Sequence, residues 1–330
     1  MARSPKSLVL TLAVLAIALL MSAGAAQAHR TSVVGPGQSI QAAVDAANPG
    51  DTILVFGTHR ENVAIQTDGL TVRGAGAVIL PPATPAVHAC FDPTAVAEAV
   101  HGICVIGDVD FVTGEVSRYV EGVSVAGFAI RDFVGSGVAA VAARDTAVER
   151  NVLRDNTDAG VAKLEALLAV NVSSALATRL RANRISGSRF GVTLAAASGG
   201  VIVANSLREN CVGAALLGPA DGFRLFANDI GRNRRACAPD AELPPLSGIG
   251  VALVGATDNL IAANRITGNV PTGDTAFSGG VVLIEGSAGN LVRGNLVLRN
   301  DPDLFWDETG AGNVFRHNVC RTSAPAAVCG

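Results

Sequence analysis

The sequence predicts an all-β fold: a single-stranded right-handed parallel β-helix, a solenoid of about 22 residues per coil with an N-terminal capping helix. Three observations predict it. Asparagines recur at Asn183, Asn205, Asn228, Asn264, Asn295 and Asn318, with spacings of 22, 23, 36, 31 and 23 residues, a base period with two longer gaps. Apolar residues hold fixed offsets from them: Ile185, Leu207, Ile230, Ile266 and Val297 two positions after, and Leu180, Ile202, Leu225, Ile261 and Val292 three before. A strand led by glycine, at Gly191, Gly213, Gly250 and Gly280, precedes the next anchor by 14 or 15 residues. One coil cannot bury its apolar side chains alone, whereas stacked coils place them in continuous columns.

The elements follow in chain order. Arg3 and Lys6, the apolar run Leu8–Met21 and Ala26-Gln27-Ala28 form a signal-peptide pattern, so 1–28 is expected to be removed and 29–330 to be the secreted, extracellular β-helix domain. The run is short and Ala-rich for a spanning helix, and no cysteine follows it to carry a lipid; no membrane association is expected after cleavage. Ser39–Ala47 (39–47) reads as an amphipathic capping helix, with Ser39 as N-cap and Ile40, Ala43, Val44 and Ala47 on one stripe. Asn48-Pro49-Gly50-Asp51 ends it, and Thr52–Phe56 begins the strands. At each corner the Asn amide is expected to bond to its counterpart one coil away, and Asn tolerates the left-handed conformation of a sharp turn. Insertions are expected at 84–118, 233–249, 269–279 and 300–312, all leaving after the second Asn of a coil; Val161–Ala177 adds length on a different side.

Pro36–Val44 followed by Pro49-Gly50-Asp51-Thr52-Ile53 resembles the opening of pectin-lyase-like β-helix proteins, and the N-x-[ILV]-x-x-N coils resemble β-helix repeat proteins exported by actinobacteria. The resemblance covers about residues 35–330 and implies the fold. It leaves function open, because that superfamily includes polysaccharide lyases, hydrolases, epimerases and non-catalytic members.

Six cysteines follow the signal pattern: Cys90, Cys104, Cys211, Cys237, Cys320 and Cys329, an even number with no C-x-x-C spacing, which favours disulfides over zinc. Register pairs Cys211 with Cys237, since each follows the second Asn of adjacent coils stacked about 4.8 Å apart. Cys320–Cys329 would tie down the last segment, and a Cys90–Cys104 bond would bring His88 toward His101.

A net charge of −3 spread along the chain gives no nucleic-acid footprint. Of the 25 basic residues all but Lys6 and Lys163 are arginine, an excess read as base composition. One Trp and one Tyr offer few platforms for a dedicated sugar-binding module. One Asn-Thr-Asp stands at Asn156-Thr157-Asp158 but has no Asp-Asp partner, and no Arg-x-Pro-x-x-Arg run, Gly-x-Ser-x-Gly elbow or His-Glu-x-x-His motif occurs, so no catalytic residue is assigned. His29, His59, His88, His101 and His317 lack metal-ligand spacing, and the Asn171 sequon is read as incidental.

The late insertions place Asp240, Glu242, Asp274, Asp301, Asp303, Asp307 and Glu308 against Arg234 and Arg235, across roughly 15 Å. Such an edge would attract calcium or a cationic group, and Trp306 in the same patch suits stacking on a sugar face. The opposing reading is a solvated acidic rim with Trp306 packed into the C-terminal cap. The first functional expectation is a monomeric secreted protein that binds extracellular polysaccharide or cell-wall polymer. A lyase or epimerase with non-standard catalytic residues and a metal-handling accessory protein, as in nitrous-oxide-reductase maturation, are the alternatives. Intact-mass measurement of the secreted product is expected to show a chain starting at or near His29; a product retaining residues 1–28 refutes the processing assignment.

Overall fold

The computed structural model describes residues 29–90, 99–164, 178–240 and 243–329. The signal pattern, the Asn171 sequon and Glu242 lie outside the described residues. Residues Thr31–Gly330 form one compact unit, a right-handed parallel β-helix. Its coils expose three parallel sheets. The first includes Thr52–Val55, Ala147–Glu149, Thr178–Arg181 and Leu260–Ala262; the second runs from Thr58–Arg60 to Leu296–Leu298; the third includes Val138–Val141, Ile249–Val254 and Gly279–Ile284.

Period-2 alternation decides which side chains enter. On the first sheet Val148, Leu180, Ile202, Leu225, Ile261, Val292 and Phe315 stack in register, one per coil. On the second, Ile130, Leu153, Ile185, Leu207, Ile230, Ile266 and Val297 do the same. All of these except Phe315 are buried, so the expected columns are the core.

The corners are closed by amides. Asn183 Oδ1 accepts from the Asn151 N–H at 3.0 Å and its Nδ2, while Asn183 donates from its N–H (2.9 Å) and Nδ2 (3.0 Å) to Asn205 Oδ1. The same pair of bonds continues through Asn228, Asn264, Asn295 and Asn318. A second ladder runs Asn210, Asn233, Asn269, Asn300, and a shorter third one, Asn259, Asn290, Asn313, stands at the remaining corner. In each rung the second Nδ2 hydrogen reaches a strand carbonyl, as from Asn205 to Leu180 O at 2.9 Å.

One expectation about the corners is corrected. The left-handed residue is not the Asn but the one before it: Ala182, Ala204, Ala227 and Ala263 have φ between 52° and 56°. The turn is made there so that the Asn side chain points inward, where it can bridge coils. Asp155, Glu209, Arg232 and Arg299 take the same role at the second corner.

Both ends are sealed. The helix spans Ile40–Asp45, shorter than the expected 39–47, with Ser39 Oγ accepting the Ala42 N–H at 3.1 Å. Glu61 accepts the Ile40 and Gln41 N–H groups, and the Gln41 amide pairs with both Ala64 N and Ala64 O, standing in for a neighbouring strand. At the far end Cys320–Cys329 forms, with Cα atoms 5.8 Å apart, around the 3₁₀ turn Ala326–Cys329.

Asn205→Ala removes an acceptor shared by two donors and strands several buried polar groups at about 1–3 kcal/mol each. Denaturant titration is expected to show a loss of about 3 kcal/mol or more. Ala204→Gly, which only relieves the left-handed Cβ, is expected to be neutral or stabilising by up to about 1 kcal/mol.

Candidate functional site

The described insertions all cover the outer surface of the third sheet, but their boundaries differ from expectation. The stretch 84–118 is two excursions separated by the coil strand Ile103–Ile106; the second is an antiparallel hairpin of Asp108–Val109 and Val116–Arg118. The stretch 300–312 is no insertion. Leu304–Trp306 pairs with Val281–Leu283 as an ordinary coil strand, consistent with the normal 23-residue step from Asn295 to Asn318. Only 233–249 and 269–279 remain as late loops, and they bury an apolar layer that includes Val212, Leu246, Ile249 and Val282 against the sheet.

The disulfides hold these loops to the coils. Cys211–Cys237 forms as register required, with Cα atoms 6.0 Å apart, and Cys90–Cys104 forms at 6.3 Å. His88 and His101 do approach. Burial, with a smaller contribution from the charge of His88, pushes His101 down to about 4, and its Nδ1 accepts the Ser136 N–H at 3.0 Å as a neutral imidazole.

The acidic residues do not assemble into a cluster. Asp303 is 1% exposed and ends the second ladder: one oxygen accepts Asn300 N and Nδ2, the other the N–H groups of Arg321 and Thr322. Asp307 accepts the Glu285 N–H and both Thr309 donors; burial opposes its ionisation, but these bonds prevail and hold its carboxyl below the ordinary range. Asp240 pairs with Arg189 and accepts the Leu243 N–H, while Asp274 and Asp301 are exposed. Trp306 continues the inward column of Leu283, packs on the core and lies 6.1 Å from the Phe315 ring. Its place is the C-terminal cap, because the residue opposite an inward leucine in a parallel ladder also points inward. Among the described residues no three His, Cys, Asp or Glu side chains converge to hold a metal.

What the structure gathers instead is arginine. An open groove of about 750 Å³ crosses four coils at the second corner, lined by Arg154, Arg232, Arg234 and Arg235, with Asp155, Ser186, Gly187 and Glu209 between them. A neighbouring hollow of about 270 Å³ adds Arg208, Arg265 and Arg299. Arg208 and Arg265 share Asp229, and Arg235 donates to Gly187 O; Arg154, Arg232 and Arg234 make no ion pair among the described residues. The signal lay in the variable positions of the repeat. NVLRDN, NRISGS, NSLREN, NDIGRN, NRITGN and NLVLRN, starting at Asn151, Asn183, Asn205, Asn228, Asn264 and Asn295, each contain one arginine. Composition masked it, since arginine is abundant throughout.

Crystal structures that share this fold include three with similar architecture over most of this chain. Two are variants of the periplasmic alginate epimerase AlgG, at 16% and 14% identity, with TM-scores of 0.54 and 0.53 over 79% and 85% of this chain. The third is the Dettilon tailspike protein, at 12% identity and TM-score 0.55 over 87% of this chain. The chain covers 57%, 61% and 54% of those proteins, respectively. No protein-family model and no curated protein sequence matches it.

Stability is expected to fall as pH drops from about 6.5 toward about 4, because the unfolded chain takes up the proton that buried His101 refuses. The slope from this one group is at most about 1.4 kcal/mol per pH unit. Denaturation at pH 5.0 to 6.5 checks it. His101→Asn, which keeps an acceptor for Ser136, should flatten the dependence in that window.

Proposed function

We propose that this chain is an exported protein that binds a linear acidic polysaccharide along the arginine row of its second sheet. The observation that carries the reading is one guanidinium per coil over six successive coils, in a chain whose net charge is negative. Coils rise about 4.8 Å, so the row extends about 24 Å, the reach of a short extended oligosaccharide rather than of a single anion. Arg154, Arg184, Arg232, Arg265 and Arg299 are exposed and Arg208 half-buried, so their charged ends can meet a ligand without displacing the core. Arginine suits the task because its planar fork binds carboxylate in a bidentate manner and remains charged at any pH the protein meets. Ser186 and Gly187 form the low floor between Arg154 and the Arg232–Arg235 group.

Two further facts support the assignment. Three disulfides suit an oxidising compartment. The fold is that of a periplasmic alginate epimerase, a protein whose named substrate is an acidic polysaccharide. The acidic-edge site anticipated around Asp303 and Trp306 is not part of this proposal, because both side chains serve the cap. Calcium has no converged ligand set there among the described residues.

Calorimetric titration of the secreted protein with size-defined polyuronate oligomers tests the proposal. Affinity should rise with oligomer length to about five or six residues, then level off, and should weaken steeply between low and physiological salt. Arg232→Ala combined with Arg234→Ala should weaken binding about tenfold or more, while a neutral glucan should not bind. Equal binding of neutral and acidic polymers would refute the reading. Product analysis of the bound oligomer separates simple binding from cleavage or epimerisation.

A further inference from the structure

The 233–249 loop has two working sides. Arg234 and Arg235 face the basic groove, whereas Leu243, Pro244 and Leu246 roof a separate hollow of about 220 Å³ on the outer surface of the third sheet. The floor of that hollow is Val212, Ala215 and Ala252, and Phe190 and Phe277 supply aromatic walls. Outward-facing positions of the first and second sheets include Arg179, Arg181, Arg184 and Arg208, whereas this part of the third sheet is apolar on its outer surface.

The roof is fixed in place. Cys211–Cys237 ties its first part to the coil below, Cys237 and Leu246 exchange backbone hydrogen bonds at 2.9 and 3.1 Å, and Asp240 pairs with Arg189. Thr275 Oγ1 and Ser247 Oγ then join this loop to the 269–279 loop. A hollow held by covalent and hydrogen-bonded struts stays open when empty, which lowers the cost of filling it. Its rim contains one charged side chain, Glu285, which follows the strand Gly279–Ile284 and makes no ion pair among the described residues.

We infer that this hollow is a binding site for a small apolar cation, an aromatic or branched aliphatic ammonium of about ten non-hydrogen atoms, with its ring against Phe190 and Phe277 and its charge on Glu285. The apolar walls select an uncharged body, and the single carboxylate selects the sign of its head. This site is independent of the acidic-polysaccharide reading, since it uses the opposite side of the loop and the opposite charge.

The test titrates the full secreted chain with 2-phenylethylammonium and with the near-isosteric 3-phenylpropionate, observed by protein NMR. The ammonium should bind and shift signals from Phe190, Leu246 and Phe277, and the carboxylate should not. Glu285→Gln, an exposed and conservative change, should weaken the ammonium about fivefold, the scale of one partly solvated ion pair. Ala252→Phe should fill the hollow and abolish binding. Should that variant fail to fold, Leu217→Trp at the half-buried margin serves the same purpose. Equal binding of the two probes, no binding of the ammonium to the wild-type chain, or an unchanged affinity in Glu285→Gln would each overturn the inference.

Discussion

A buried amide that is donor to one coil and acceptor from another is the interaction on which this solenoid rests. Within a ladder an Asn such as Asn205 receives two hydrogen bonds on Oδ1 and returns two from Nδ2, so a side chain that would be expensive to bury alone is fully satisfied. The bonds run along the axis, between coils, whereas the apolar columns only require that coils stack somewhere. Hydrophobic burial drives the stacking, and the amides set its register. That register in turn decides which side chains line up on the outside, including the arginines of the second sheet.

The ladders also explain how the ends are made. A repeating amide row must stop, and the last rung leaves donors without an acceptor. Asp303 solves this for the second row: a carboxylate can accept on both oxygens, and it takes four N–H groups from Asn300, Arg321 and Thr322. Gln41 solves the corresponding problem at the other end by offering a primary amide in place of a strand. Trp306 and Phe315 close the apolar column at the level where coils run out. Residues that look functional in a sequence, a lone indole beside acids, are here the materials of termination.

Most of the fold was legible because it is periodic. Offsets of two and three residues from each Asn named the core columns, and the position of Cys237 four residues after Asn233 gave its disulfide. What escaped was aperiodic or indirect. The left-handed turn at Ala182 and Ala204 carries no propensity signal, since alanine ordinarily avoids that conformation and holds it only because the ladder over-determines it. The 300–312 stretch looked like an insertion because its strand carries Phe305 and Trp306 where the coil before it has Val282 and Leu283. The arginine row was periodic yet unread: its residues shift among three variable positions, so no single column shows it. They converge only when the coil is folded and neighbouring positions share one face.

Because every rung makes the same contacts above and below, a coil is an interchangeable unit. Tandem duplication of a stretch such as 183–204 would add a rung to the first ladder, a layer to each apolar column and one more guanidinium to the outer row, with no new interface to invent. Length is therefore an evolvable variable in this architecture, adjusted in steps of about 22 residues. The span of charge on the outside lengthens in proportion, so its reach is set by copy number alone.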